Sequence, residues 1–363
     1  MIAISLACGS NGDDDVPAPL TNPDTYESPT PPGPVPSPTA SPFAPPPLTV
    51  ADAFPPRDLS ALDLDPARVR TLVATGDVIP ARYTDFTIRN QGDDFNYTVR
   101  ATQDIVSAGD VTVINLEAPL VEYCQLHTEG FTFCGRPGFI GALHAAGVDV
   151  ATLENNHIGN YGLDGIDATK GYLDGGGIKW ADRYSPAIVE VRGMKFGFLA
   201  FNGVIEIIDR DAMVVAIQEL RPQVDVLSVS FHWGAEYVSV PDISPGVAED
   251  SPVEIAHLAI DSGADFIIGN HPHWVQAVEI YNGKWITYAH GNYIFDQMWS
   301  YETRVGVIGK YTFFDKQLVG VEFTPTLIEN YAQPVPMQGE ERQAVLDGMK
   351  AASDQLSARL AGG

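Results

Sequence analysis

The sequence predicts an α/β fold on mixed sheets, and three observations carry that expectation. Five apolar, β-branched runs of strand length recur between Thr71 and Ile268. Segments of helical pattern lie between them, which argues for parallel βα units. Two hairpin signals interrupt the alternation, so the sheet is mixed or there are two sheets.

The elements follow in order. From about Asn11 to about Pro56 the chain is rich in Pro, Thr, Ser and Ala, with no Lys or Arg before Arg57. Runs such as Pro31-Pro32-Gly33-Pro34 and Pro45-Pro46-Pro47 build neither ladders nor helices. Residues 9–66 therefore read as a disordered, semi-extended tether, and 67–337 as a single globular domain. In that domain Thr71–Thr75 ends at Gly76-Asp77, and Val111–Ile114 ends at Asn115-Leu116-Glu117. Val148–Leu153 ends at Glu154-Asn155-Asn156-His157, Val224–Phe231 at His232-Trp233-Gly234, and Phe266–Ile268 at Gly269-Asn270-His271-Pro272-His273.

Ser251-Pro252-Val253-Glu254 reads as a capping box with Pro at the first helical position, opening a helix to Ser262 that stops at Gly263. Pro137–Ala146 and Gly165–Leu173 read as shorter helices. Arg192-Gly193 and Asn282-Gly283 each join two strand patterns into a hairpin, and Val305–Phe314 with Gln317–Leu327 suggests a further pair. Residues 338–363 read as a polar helix packing through Ala344, Leu346, Met349, Leu356 and Leu360.

Charge and cysteines bound the function. The 363 residues carry 47 acidic against 21 basic side chains, a net charge of −26. Such a surface repels nucleic acid, which is excluded as a partner, and anionic membrane surfaces. It also repels anionic substrates unless a metal or a local Arg inverts the field. Cys8 follows the apolar Met1–Ala7 and precedes Gly9-Ser10-Asn11-Gly12-Asp13, a pattern resembling the end of a bacterial lipoprotein signal. That reading makes Cys8 a lipidation site and the protein an extracytoplasmic, membrane-anchored one. An ordinary ragged terminus is the other reading, since no basic segment precedes the apolar stretch. Cys124 and Cys134 either close a local disulfide loop or, with His127, contribute to a zinc site.

The five apolar runs end in Asp77, Glu117, Asn156-His157, His232 and His271/His273. Each residue alone has an ordinary explanation as a cap or a hydrogen-bonded loop residue. If the strands are adjacent, their C-terminal rim gathers two carboxylates, an amide oxygen and several imidazoles. Carboxylates so clustered repel, and a divalent cation offsets that cost. The mixed oxygen and nitrogen set suits Mn, Fe or Zn better than Ca. Metal-assisted hydrolysis is the chemistry that follows, with His157 facing the leaving group as general acid or helping to orient it. Arg82 is placed to fork onto an anionic substrate, with a surface ion pair as its alternative. His290 is either a further ligand or base, or a packing residue beside Tyr288; His144 and His257 lie on helices and read as structural.

At these residues the chain resembles a known family. Gly76-Asp77-Val78…Arg82, Asn115-Leu116-Glu117, Asn155-Asn156-His157…Tyr161-Gly162, His232-Trp233-Gly234-x-Glu236-Tyr237, Gly269-x-His271-Pro272-His273…Gln276 and Gly291-Asn292-Tyr293-Ile294-Phe295-Asp296-Gln297 look like the bacterial CapA family. That family is associated with poly-γ-glutamate capsule synthesis and is similar to calcineurin-like metallophosphoesterases. The resemblance implies a metallophosphatase-like four-layer α-β-β-α sandwich. It implies metal ligation by Asp77, Glu117, Asn156, His232, His271 and His273, with His157 near the reacting group. His157 and Arg82 read as the catalytic residues, and Asn155, Glu236 and Asn292 as substrate-binding ones. Val78 and Ile79 follow Asp77 where the related enzymes carry Asp-x-His, and Glu117 stands where a bridging Asp is usual, which leaves one or two ions open. Family members often carry Asp at the position of Asn160, His at Asn270 and Leu at His290.

The implied activity is an extracytoplasmic metal-dependent hydrolase acting on a phosphoester or a γ-glutamyl amide of an anionic envelope polymer, alongside other capsule-synthesis membrane proteins. The alternative is a non-catalytic, membrane-tethered component that binds or guides the polymer on the same fold.

Overall fold

The computed structural model describes residues 44–362. The expectations for Cys8 and for the Pro-rich stretch before Ala44 lie outside the described residues. The domain boundary differs from the expected one. Residues 45–66 pack as part of the folded unit, which runs from Pro45. Leu48, Val50 and Phe54 lie against the central core, Ala53 is buried, and Arg57 hydrogen-bonds the carbonyls of Pro46 and Pro47 and the Asp52 carboxylate. The Pro-rich composition hid apolar residues spaced along an irregular segment, which have no helix or strand period to reveal them.

The strands are β1 Val69–Val78, β2 Val111–Leu116, β3 Val150–Thr152, β4 Lys179–Ala181, β5 Ala187–Val191, β6 Met194–Asn202 and β7 Val226–His232. They continue as β8 Phe266–Asn270, β9 Val278–Tyr281, β10 Lys284–Thr287, β11 Asn292–Ile294, β12 Val305–Phe314, β13 Gln317–Glu329 and β14 Gln333–Pro336. The helices are α1 Tyr83–Asn90, α2 Gln103–Val106, α3 Phe139–Ala145, α4 Gly162–Gly175, α5 Arg210–Leu220, α6 Pro252–Asp261, α7 Tyr301–Arg304 and α8 Gly339–Ala361. One sheet runs β14-β13-β12-β1-β2-β3-β4 with β11 beside β1, and the other runs β5-β6-β7-β8-β10-β9. Both are mixed: β1-β2-β3-β4 and β6-β7-β8-β10 are parallel, and the hairpins supply the antiparallel edges.

Four layers result. Leu72, Ala74, Val111 and Val113 of the first sheet meet Phe196, Phe198, Val226, Phe266 and Ile268 of the second in one core. The outer face of the first sheet packs on α3 and α4 through Ile114, Ala151, Phe139, Leu143 and Leu173. That of the second packs on α5 and α6 through Leu227, Val229, Ile217, Ile255 and Ala259. This is the expected α-β-β-α sandwich. The second sheet is mixed because its hairpin turns hold: Arg192 and Gly193, and Asn282 and Gly283, all take positive φ, as a tight hairpin turn needs. The first is mixed because β12 lies antiparallel beside β1 and continues antiparallel into β13 and β14.

Ser251 caps α6 as expected, accepting from Glu254 N–H. The terminal helix packs through Leu346, Met349, Ala352, Ser353 and Leu356, whereas Ala344 and Leu360, expected to pack, are exposed. The apolar stripe is narrow, so only about one residue per turn reaches the sheet.

Candidate metal centre

The strand ends expected to share one rim belong to two sheets. β1, β2 and β3 bring Asp77, Glu117 and Asn156-His157; β7 and β8 bring His232 and His271/His273. The sheets stack face to face, so their C-terminal edges meet and the centre forms at the junction. Two glycines allow the close approach this requires. A Cβ on Gly76 would lie 1.9 Å from the Gly291 carbonyl oxygen, and one on Gly269 1.8 Å from that of Tyr288. Gly76 lets β11 run beside the end of β1, where Asp77 pairs in register with Asn292.

Asp77, Glu117, His232, His271 and His273 are all buried. Ligand atoms of Asp77, Glu117 and His232 lie within 4.8 Å of one another, as do those of Glu117, His271 and His273, so two overlapping triads share Glu117. Asn156 joins them: its Oδ1 is 2.9 Å from His232 Nε2. The backbone is strained to reach this arrangement. His271 has φ 94° and His273 φ 55°, with Arg82 at 54° and Tyr237 at 59° nearby. For residues with a Cβ such conformations cost about 1–3 kcal/mol each and gather at functional sites.

The electrostatics divide the cluster. Burial works against the charge on Asp77, but the hydrogen bond from His273 (Nδ1–Oδ2 3.2 Å) overcomes it and holds that carboxyl below its usual range. Glu117 is pushed well above its usual range by burial and then by the charge of Asp77. Burial lowers His232 to about 3 and drives His271 well below an ordinary imidazole. Burial also opposes the charge on His273, yet Asp77 and Glu117 lift it to about 9. His157 falls to about 4, mainly through burial.

These residues fit a divalent cation. Glu117 Oε1 and both ring nitrogens of His271 are buried with no hydrogen-bond partner. Such orphaned groups cost about 1–3 kcal/mol each, and here they converge with the carboxylate of Asp77 and the imidazole of His232. The set is oxygen and nitrogen without thiolate, matching Mn, Fe or Zn chemistry. Where an Asp-x-His histidine would stand, Ile79 is fully buried beside Ala81, Ala118, Phe133 and Phe295.

The other expected site residues take different roles. Asn155 spends its whole amide on the protein: Nδ2 donates to Asn115 Oδ1 and the Leu116 carbonyl, and Oδ1 accepts from His157 and Ile158 N–H. Asn292 is likewise enclosed, its Oδ1 2.9 Å from His273 Nδ1 and its Nδ2 donating to Gln297 and the Thr303 carbonyl. Both orient the centre and have no group free for a substrate. Glu236 is part-exposed, 3.9 Å from His273 Nε2. Arg82 is neither a surface ion pair nor a free anion clamp: it is buried, paired with Asp296 and donating to the Gly130 carbonyl at 3.1 Å.

Cys124 and Cys134 are joined in a disulfide, which removes the zinc alternative. Their loop supplies Phe133, whose ring lies 4.3 Å from that of His157 and whose N–H donates to Asn160 Oδ1. The same oxygen is 3.1 Å from His157 Nδ1. His290 is buried, bonded to Tyr311 Oη at 2.8 Å and packed by Tyr311 and Phe323, so it is a packing residue. His257 pairs with Glu279 and stacks on Tyr281, and His144 is exposed on α3, both away from the centre.

Asn115 was not singled out in the sequence. It is buried, donates to Asp77 Oδ1 at 2.8 Å and lies 3.5 Å from Glu117 Oε2. The signal in the sequence is an amide near the end of a strand whose other residues are apolar apart from Thr112.

Fold and site define an α-β-β-α protein with a buried carboxylate–histidine centre at the meeting ends of two sheets. The chain belongs to the family described as bacterial capsule synthesis protein PGA_cap, whose model matches residues 71–297. It is 28% identical over 289 residues to the PGA biosynthesis protein CapA of Bacillus subtilis (strain 168), covering 72% of each chain. It is 25% identical over 295 residues to the capsule biosynthesis protein CapA of Bacillus anthracis, covering 74% of this chain and 69% of that one. A probable polyglutamine synthesis accessory protein of Mycobacterium tuberculosis is 30% identical over 227 residues, 52% of this chain and 57% of that protein. Among solved structures, a putative 5′-nucleotidase from Staphylococcus aureus, in complex with alpha-ketoglutarate, overlaps with a TM-score of 0.48 at 15% identity, covering 78% of this chain and 58% of that one.

Proposed function

We propose that this protein is a metal-dependent hydrolase of the cell envelope, acting in the synthesis or trimming of a capsule or related polymer. One observation carries the reading: Glu117 Oε1 and both nitrogens of His271 are buried, unbonded and gathered with Asp77, His232 and His273. A bound divalent cation supplies a water of lowered pKa and charge for a developing oxyanion. Asp77, Glu117, Asn156, His232, His271 and His273 would hold it. Asn115 and Asn292 orient those ligands. His157, neutral and held by Asn160 at Nδ1, presents Nε2 as the proton-handling atom at the edge of the centre.

The donor set suits a phosphoester and a γ-glutamyl amide alike. The relatives' capsule and PGA names favour a polymer connected with that synthesis. The test is metal content of the purified protein and hydrolysis of a generic phosphodiester, with Asp77→Ala and His271→Ala alongside. Loss of metal and turnover in both variants is expected; full activity in both, or no bound metal, overturns the reading.

A second reading, a polymer-guiding component without catalysis, is favoured by Ile79 at the missing ligand position and by the engagement of Arg82 with Asp296. Polymer binding that survives EDTA and ligand substitution would support it. An extracytoplasmic location is supported by the disulfide. Lipid anchoring through Cys8 is tested by membrane fractionation: Cys8→Ser should release the protein, and release with Cys8 intact argues against the anchor.

A further inference from the structure

The loop after β7 and the loop after β11 meet beside His273. Tyr237 comes from the first and Trp299 from the second, with ring centroids 6.2 Å apart and planes at 76°. The Tyr237 ring lies 6.3 Å from that of His273. Its backbone is fixed there: φ is 59°, and its N–H donates at 2.9 Å to the carbonyl of Pro272, the residue between the histidines of the centre. Trp299 stands 60% exposed. Burial in the core does not account for a fixed corner of near-perpendicular rings with one of them left in water.

Charge narrows what the corner meets. Glu236, next to Tyr237, has a side chain 40% exposed, with Oε1 3.9 Å from His273 Nε2. Among the described residues no Lys or Arg pairs with it, and Arg82 is already engaged by Asp296. Asp77 holds the other nitrogen of the His273 ring, so Glu236 adds a further carboxylate to this side of the centre, which costs repulsion. The divalent cation of the proposed function offsets the buried carboxylates, and Glu236 stands at the rim beside the two rings. Negative ring faces and a carboxylate together attract an ammonium group, with Trp the strongest of the ring partners.

We propose that Glu236, Tyr237 and Trp299 form an ammonium subsite, and that the substrate carries a free amine a short aliphatic spacer from the bond cleaved; the claim rests on the hydrolase reading for that bond. Two sources carry this chemistry. The amino-terminal unit of a γ-glutamyl chain has its free amine close to the γ-carbonyl, and an aminoalkyl phosphoester has one close to the phosphorus. In either, the divalent cation offsets the carboxylate or phosphate charge while the subsite takes the ammonium. An internal γ-glutamyl unit brings a carboxylate and no amine, so the subsite directs cleavage of such a polymer to its amino end rather than along its length. The step is hydrolysis. Water adds to the γ-carbonyl, the C–N bond breaks, and the leaving nitrogen takes a proton to become the amine of the next chain end, with free glutamate released. On the phosphoester, water adds at phosphorus, a P–O bond breaks and the leaving oxygen takes the proton.

The test compares kcat/KM of the metal-loaded full chain within two pairs of chromogenic substrates: γ-glutamyl p-nitroanilide against its N-acetyl form, and aminoethyl p-nitrophenyl phosphate against ethyl p-nitrophenyl phosphate. The member with the free amine should be favoured about ten-fold in at least one pair, and the pair that shows it names the source. Glu236→Gln and Trp299→Ala should each remove most of that preference with metal content unchanged, and Trp299→Tyr should keep most of it. No preference in either pair, a preference that survives in Glu236→Gln or in Trp299→Ala, or loss of metal in Glu236→Gln, which would make Glu236 a ligand, overturns the proposal. If the metal-loaded protein cleaves none of these substrates, the hydrolase reading falls. Calorimetric titration with γ-glutamylglutamate and with phosphoethanolamine, each against its N-acetyl form, then decides the subsite: tighter binding of the free amine keeps it, and equal affinity overturns it.

Discussion

Glu117 and His271 approach one another at the centre without either satisfying the other. Their ligand atoms lie within 4.8 Å, yet Glu117 Oε1 and both ring nitrogens of His271 have no hydrogen-bond partner. Metal binding should therefore be read in stability. At a hundredfold excess over Kd a ligand stabilises by about 2.7 kcal/mol. EDTA should lower the Tm accordingly, and the shift should shrink in Glu117→Gln, as scanning calorimetry would measure. The metal-free protein adds a pH signature. Its Glu117 holds a proton to higher pH than the unfolded chain does, so the metal-free form should lose stability as pH rises above the ordinary carboxylate range toward the raised value.

His290 gives an independent pH test. Burial lowers it from 6.5 to about 4, so the unfolded chain takes up its proton first. Above about pH 6.5 the group is neutral in both states and contributes nothing to pH dependence. As pH falls from there toward 4 the fold loses stability, by roughly 3 kcal/mol in all. His290→Leu should flatten that part of the profile in urea titrations between pH 7 and 4, numbers set by the same two values. An unchanged slope would count against the buried neutral imidazole.

The Arg82–Asp296 pair is buried on both sides. Removing one partner leaves an uncompensated charge, so Asp296→Asn should cost about 3–5 kcal/mol. Arg82→Met with Asp296→Asn should recover much of the loss. Urea denaturation of the two variants decides, and equal stability of Asp296→Asn and wild type would contradict the pair.

The disulfide closes a loop with a sequence separation of 10 between Cys124 and Cys134. The chain-entropy relation gives about 2–3 kcal/mol for a loop of that length. The loop also carries Phe133, which packs on His157 and anchors Asn160. Reduction, or Cys134→Ser, should lower the Tm and reduce turnover together. A fall in Tm with turnover unchanged would show that the loop does not position His157.

By itself the sequence determined which residues could meet. Asp77, Glu117, His232, His271 and His273 each follow an apolar strand pattern, and a side chain just past a parallel strand faces the open end of its sheet. Local spacing also determined the hairpins at Arg192-Gly193 and Asn282-Gly283 and the cap at Ser251, because turn and cap chemistry acts over a few residues. Tertiary structure alone decided that the ligands come from two sheets, since strand partnership across long separations leaves no local period. It turned Asn155 and Asn292 inward and paired Arg82 with Asp296, because a buried polar group must find whichever partner folding brings within reach. It placed Leu48, Val50 and Phe54 on the core despite their Pro-rich setting. It also brought Phe131, Tyr237 and Trp299 around the centre from separate loops, a relation that only the packed sheets create.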